Sequence, residues 1–125
     1  MNKEIISTTK APGAIGPYSQ GVRVGDFVYT SGQLPINPET GEVPATIEEQ
    51  TKQAIENGKA ILEAAGSHMS KVFKTTVFLK DLSDFAKMNE VYGSYFSENF
   101  PSRSTVGGTQ LAKNALVEIE FVATV

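Results

Sequence analysis

Apolar and polar residues recur along this chain with two different periods, and each change of period marks an element. Lys3 to Ser7 reads as a short edge strand, and Ala11-Pro12-Gly13 opens a loop that runs on through Gly16-Pro17. Gln20 to Val24 reads as a strand, turned by Gly25-Asp26 into a second at Phe27 to Ser31, which is a hairpin pattern. Pro35, Pro38 and Gly41 then mark a turn-rich loop. The period becomes helical after Thr46, which with Glu49 forms a capping box whose hydroxyl and carboxylate satisfy each other's amides. Ile47, Ala54, Ile55, Gly58, Ile61, Leu62 and Ala65 make one buried stripe, and Gly66 supplies a left-handed stop. Val72 to Leu79, β-branched and aromatic, reads as a strand. Asp81 and Asp84 open a second helix with the apolar stripe Phe85, Met88, Tyr92, Tyr95 and Phe96, ended by Phe100-Pro101. Two strands close the chain, Arg103 to Gly108 and Ala115 to Ala123.

The order is β-β-β-α-β-α-β-β. Two helices cannot cover both faces of such a sheet, so the fold class expected is α+β with both helices on one side. In the last strand Val117, Ile119, Phe121 and Ala123 alternate with Leu116, Glu118, Glu120 and Val122, and the uniformly apolar set should face the helices. Ser104 and Val106 would join that core, which leaves Arg103 and Thr105 on the opposite face with Glu118 and Glu120. That face also carries Leu116 and Val122, and the strands at 27–31 and 72–79 are apolar or β-branched on both sides. An apolar face without helices needs a cover, and another copy of the chain is the economical one. The pattern therefore predicts a homo-oligomer with Arg103 and Glu118 near a subunit boundary.

Composition narrows the chemistry. A chain of 125 residues, 40% hydrophobic and 20% charged, fits one soluble domain over residues 1–125. No apolar run reaches the length of a membrane span, and Met1-Asn2-Lys3-Glu4-Ile5-Ile6 lacks the layout of a secretory signal, so the cytoplasm is expected. The absence of cysteine excludes disulfides, thiolate metal sites and a cysteine nucleophile, and the single histidine, His68, excludes a multi-histidine metal site. A net charge of -3 with scattered basic residues gives nucleic-acid binding little electrostatic support.

No Ser-His-Asp set, metal-ligand cluster, Gly-x-Gly-x-x-Gly or P-loop is present, so an enzyme built on this chain works with Arg, Glu, hydroxyls, amides and water. Arg103 is either the ion-pair partner of Glu118 or Glu120, or a bidentate clamp for a small carboxylate. Glu118 is either that partner, a solvated carboxylate, or a group that activates water with its pKa set by burial; Glu120 reads as structural. Gly16-Pro17-Tyr18-Ser19-Gln20 is a rigid turn ending in polar groups. Thr30-Ser31-Gly32-Gln33 ends a strand with a hydroxyl and an unhindered amide, as an anion site needs. Asn89 borders a buried stripe, where its amide needs partners for structure or for a ligand. His68 reads as a solvated loop residue.

Taken in order and at their separations, several motifs make the chain similar to the reactive intermediate deaminases, the RidA or YjgF-type family, from end to end. They are Ala14-Ile15-Gly16-Pro17-Tyr18-Ser19-Gln20, Thr30-Ser31-Gly32-Gln33, Asn37-Pro38-Glu39-Thr40-Gly41, Lys74-Thr75-Thr76-Val77-Phe78-Leu79-Lys80-Asp81-Leu82, Phe100-Pro101-Ser102-Arg103-Ser104 and Leu116-Val117-Glu118-Ile119-Glu120. The resemblance implies a chorismate-mutase-like fold assembled as a homotrimer, with sites in clefts between subunits. It implies hydrolysis of 2-imino acids such as 2-iminobutanoate and 2-iminopropanoate, released by amino-acid dehydratases, to 2-keto acids and ammonia, with no cofactor or metal. It further implies that Arg103 clamps the substrate carboxylate with help from the Gly32 amide and that Glu118 holds the attacking water. Tyr18, Ser31 and Asn89 would line the cleft, and Thr105, at a position often cysteine in the family, would contact the ligand.

The chain departs from the family pattern at Gly107-Gly108-Thr109-Gln110-Leu111-Ala112-Lys113, where apolar residues and a Leu-Pro-Lys turn are usual. Two glycines weaken the strand after Arg103, which bears on substrate range more than on reaction type. Two other functional classes stand beside the deaminase. One is a module that binds a keto acid or related metabolite through the same clamp. The other is a translation inhibitor or ribonuclease, against which the acidic charge argues; for a chaperone-like role the sequence offers nothing specific.

Overall fold

The alternating last strand becomes the middle of the sheet. The structure, a computed structural model, describes residues 2–125, so Met1 lies outside the described residues. Its elements are β1 (Lys3–Ile6), β2 (Gly21–Val24), β3 (Phe27–Thr30), α1 (Ile47–Ala64), β4 (Val72–Leu79), α2 (Phe85–Ser94), β5 (Ser102–Val106) and β6 (Val117–Thr124). This is the expected α+β order. The strands form one sheet ordered β1-β2-β3-β6-β4-β5. Every pair is antiparallel except β4 and β5, which the crossover through α2 makes parallel.

Both helices pack on one face of this sheet. Val117, Ile119, Phe121 and Ala123 of β6 are fully buried beneath them with Val28 and Val77. The expected α1 stripe is buried throughout. Gly58 has a packing reason: a Cβ there would run into the Phe121 ring, 3.0 Å from its Cζ, so the glycine lets α1 settle directly on β6. The cap of α1 is half of the expected box. Thr46 Oγ1 accepts from the Glu49 amide at 3.2 Å, but the Glu49 carboxylate accepts from the Thr46 hydroxyl at 2.9 Å and not from its amide. A hydroxyl both donates and accepts, so the two side chains close on each other. Gly66 follows with φ +83°, the left-handed stop expected.

The start of α2 differs from the expectation. Asp81 caps a separate 3-10 turn, Leu82–Asp84, accepting from the Ser83 amide at 2.8 Å, and α2 proper begins at Phe85. Met88, Tyr92 and Phe96 are buried, whereas Phe85 stays 39% exposed at the rim. Tyr95 ties the helices together, its hydroxyl donating to Glu56 of α1 at 2.7 Å.

The side assigned to β5 is corrected. Arg103 pairs with Thr75 and Thr105 with Val77, while Ser104 pairs with Thr76 and Val106 with Phe78. Across β4, Thr75 and Val77 are the partners of Phe121 and Ile119, and Thr76 and Phe78 are those of Glu120 and Glu118. Arg103 and Thr105 therefore lie on the helix face, and Ser104 and Val106 share the far face with the glutamates. Alternation alone ranked Ser104 and Val106 as core because Val is apolar. On an edge strand running parallel to its neighbour, however, the register with β4 decides, and it seats the arginine against α2.

The far face is apolar and uncovered. Phe27 and Tyr29 of β3 stand beside Val22 and Val24 of β2, Ile5 of β1 and Val122 of β6. Phe73, at an irregularity in β4, meets Phe27 edge-on at 6.0 Å. Ile5, Phe27, Tyr29, Phe73 and Val106 are all exposed.

Candidate active site

The expected site residues fall into two groups. Tyr18, Ser31, Gly32 and Glu118 make the first, and a break in the β3–β6 ladder assembles it. Pairing is regular as far as Tyr29–Val122, then resumes as an isolated bridge between Gln33 and Ile119. Four residue steps on one side thus face three on the other, so one residue bulges out. Thr30 Oγ1 fills the gap by accepting from the Phe121 amide at 3.1 Å. The bulge brings Gly32 over Glu118 so closely that a Cβ on the glycine would sit 2.9 Å from the Glu118 Cδ. Ser31 and Gln33 spend their amides on the carbonyls of Gln20 and Ile119 at 2.9 and 2.7 Å, and the Gly32 amide between them takes no part in those bonds.

Gln20 is the anchor of the loop that carries Tyr18. Its buried side chain accepts from the Thr8 amide at 2.7 Å and donates to the carbonyls of Thr8, Ala11 and Pro12 at 3.0, 3.2 and 2.8 Å. Tyr18 folds back on this loop, its amide donating to Gly16 and its hydroxyl accepting from the Ile15 amide at 3.3 Å. Ser31 donates its hydroxyl to the Ser19 carbonyl at 2.6 Å, which leaves the oxygen lone pairs for another donor. From the other side Asn57 of α1 donates to the carbonyls of Leu34 and Ile36 at 3.0 and 2.9 Å, fixing the chain beyond Gly32. Between these anchors lies a cleft of about 250 Å³ lined by Ile15, Tyr18, Gly32, Gln33, Asn37 and Lys113 among others. Glu118 is half-buried beside it. Burial, with the neighbouring Glu120 adding to it, pushes its carboxyl above the ordinary glutamate value.

Arg103, Asn89 and Thr105 make the second group, on the helix face. Arg103 lines a groove of about 370 Å³ with Asn89, Tyr92, Gly93, Phe100 and Pro101. Its guanidinium carbon lies 4.8 Å from the Tyr92 ring centre and 5.6 Å from that of Phe85. The ion pair with Glu118 or Glu120 that the sequence left open is not formed, because both glutamates are on the other side of the sheet. Thr105 follows two residues along the same face, half-buried.

One copy of the chain thus presents two part-sites on opposite faces and does not bring Arg103 and Glu118 together. Gln20, Gln33 and Asn57 anchor the first group and Tyr92 packs against the second, roles that the motifs alone do not reveal. Their signal in the sequence is a general one: a buried amide in a loop, or a hydroxyl within an apolar stripe, demands a partner. The glycine-rich stretch also resolves. Gly108 is left-handed, with φ +71°, and the Ala112–Asn114 turn forms without the usual proline, Lys113 and Asn114 adopting φ of 57° and 53°. Asn114 is held there by Lys80, whose Nζ donates to its Oδ1 at 2.6 Å. Among the described residues no cluster of three or more His, Asp or Glu side chains is placed to hold a metal, and no helix is long and apolar enough to cross a membrane.

Comparison with known proteins extends over nearly the whole chain. The family model described as Endoribonuclease L-PSP matches residues 8–125. A RutC family protein of Pyrococcus abyssi is 57% identical over 98% of both chains. The 2-iminobutanoate/2-iminopropanoate deaminase of Escherichia coli is 51% identical over 94% of both. Among solved structures, Escherichia coli TdcF with bound serine matches with a TM-score of 0.94 and 48% identity, covering 98% of each chain. The Escherichia coli YjgF gene product matches with a TM-score of 0.94 and 49% identity, over 97% of this chain and 98% of that one.

Proposed function

The chain belongs to the endoribonuclease L-PSP family, that of the YjgF and RidA proteins, and from that membership and the divided site we propose that it is a 2-imino acid deaminase. Its substrates are 2-iminobutanoate and 2-iminopropanoate, and its products the 2-keto acids and ammonia. The observation that carries this reading is the complementarity of the two part-sites. One offers a cation that, among the described residues, rests on an aromatic ring with Glu118 and Glu120 on the other face, the other a carboxylate of raised pKa beside a glycine amide.

Self-association completes the site. We infer a closed ring of three copies packed through the uncovered apolar face, with the Arg103 groove, at the edge strand β5 of one copy, set against the Glu118 cleft of the next. In the cleft Arg103 grips the substrate carboxylate in the plane of its guanidinium, and the Gly32 amide assists. Tyr18, Ser31, Asn89 and Thr105 line the walls. Glu118 holds a water against the imine carbon and accepts its proton as the C–O bond forms. That proton passes to nitrogen to complete the carbinolamine; Glu118 then relays the hydroxyl proton to the same nitrogen, and as the C–N bond breaks ammonia leaves and the C=O of the keto acid forms. Imines hydrolyse unaided on a useful timescale, so positioning with modest acid–base help suffices. The step as written uses water and side chains alone, and it belongs in the cytoplasm, where dehydratases release such imines.

The family's description also names an endoribonuclease. A net charge of -3 without a basic stripe gives that activity no footing on RNA. The deciding experiment couples the protein to a threonine dehydratase and follows 2-ketobutyrate release. Acceleration over the buffer rate is expected, and Arg103→Ala should remove it while the assembly persists in sedimentation. No acceleration at protein well above the dehydratase concentration would sink the proposal.

A further inference from the structure

We propose that Thr75 and Tyr92 are positioning residues that fix the direction of the Arg103 guanidinium; the proposal rests on Arg103 acting as the carboxylate clamp. Three contacts among these residues close a loop. Thr75 of β4 is the register partner of Arg103 on β5. The Thr75 hydroxyl lies 2.6 Å from the Tyr92 hydroxyl, where either donates to the other. The Tyr92 ring, in turn, has the Arg103 guanidinium carbon 4.8 Å from its centre.

Packing alone does not account for this arrangement. Thr75 is 1% exposed and Tyr92 4%, and valine and phenylalanine would fill the same volumes without burying two hydroxyls. A buried hydroxyl must be satisfied, and here each satisfies the other across two elements, β4 and α2. The bond fixes the Tyr92 ring in depth and rotation, and the ring is the surface on which the guanidinium rests.

The way Arg103 is held also differs from that of the chain's other arginine. Arg23 donates its Nε and Nη1 to the carbonyls of Gly25 and Ala65 at 3.2 and 3.4 Å, so its edges are occupied. Arg103 is held through a π-face, which leaves the N–H edges for a ligand lying in the guanidinium plane. Bidentate carboxylate binding needs those edges. A carboxylate partner would have fixed the arginine equally well but would have competed with the substrate. Burial keeps the Tyr92 hydroxyl above its ordinary pKa, against the opposing influence of Thr75 and Arg103, so the ring carries no charge that would bind the guanidinium as an anion.

The test measures 2-ketobutyrate binding to the assembled full-length protein by calorimetry, with kcat and KM for the imine measured alongside. Arg103→Ala should abolish binding. Thr75→Val and Tyr92→Phe should each weaken it by about threefold to tenfold, appearing in KM with kcat little changed, and Thr75→Ser should restore it to within about twofold of the parent. Should Arg103→Ala bind as well as the parent, the clamp reading itself fails. Should Arg103→Ala lose binding while Thr75→Val and Tyr92→Phe keep it, only the positioning proposal is overturned. It is overturned equally if those two variants lower the melting temperature and leave affinity intact. Each of the two changes is nearly isosteric, and either one decides the question if the other fails to fold.

Discussion

The carboxylate of Glu118 lies against the Cα of Gly32 with no room for a methyl group between them. Gly32 is not among the glycines with left-handed backbone, so alanine suits its dihedrals and the nearest conflict is with the Glu118 side chain. Gly32→Ala should therefore leave the chain folded and push Glu118 out of line with the attacking water. A displacement of this kind lowers kcat/KM by at least about tenfold. The check is imine hydrolysis beside a thermal melt, and an alanine variant with parental activity would show that the close approach has no catalytic purpose.

The raised pKa of Glu118 sets an opposition between activity and stability. Its folded carboxyl binds a proton more tightly than the unfolded one, so the stability it contributes falls as pH rises from the unfolded value through the folded one. Glu118→Gln removes the ionisation. The variant should melt higher than the parent near neutral pH, and the difference should shrink toward zero below about pH 4, where the unfolded glutamate is also protonated. Its deaminase activity should fall by about a hundredfold or more as the proton acceptor is lost. Melts recorded across pH, with keto acid release measured at neutral pH, test both signs.

Most of the fold was legible because it rests on short-range pattern. The α1 stripe, the β6 alternation and the Gly66 stop each follow from residues within a few positions of one another. The face of Arg103 was not legible for the same reason. Ser104 and Val106 against Arg103 and Thr105 is a pattern that polarity barely separates, and the deciding fact is a register with β4, nearly thirty residues away. Candidate site residues could be proposed from motifs, yet their supports could not be ranked. Gln20 and Asn57 hold backbone carbonyls 8 to 12 and 21 to 23 positions away, contacts that local spacing does not encode.

The departure at Gly107 has a steric cause. A Cβ there would stand 2.8 Å from Leu82 Cβ and 3.3 Å from its Cα, so the end of β5 and the 3-10 turn before α2 touch through the missing side chain. The atoms in conflict belong to the root of Leu82, which moves only with the turn. Gly107→Ala should cost about 1–3 kcal/mol in denaturant unfolding, as overpacking does. Because Phe85 follows that turn directly and its ring lies 5.6 Å from the Arg103 guanidinium, KM for the imine should rise as well. Unchanged stability and KM would mean that the turn yields freely.

The division of the site between the two faces of the sheet leads to a complementation test. Arg103 and Glu118 of one copy lie on opposite faces, so on the proposed reading each working site would take its arginine from one copy and its glutamate from another. Arg103→Ala and Glu118→Gln chains should each be inactive alone. When they are unfolded together in equal amounts and refolded, a site is intact only where a subunit with native Arg103 faces one with native Glu118. Random assembly meets both conditions in about a quarter of sites, so activity should return to about a quarter of the parental value. Had the two residues acted from the same chain, every site in the mixture would carry one of the two defects. The mixture would then stay inactive at any ratio, and keto acid release measured across a series of ratios separates the two outcomes.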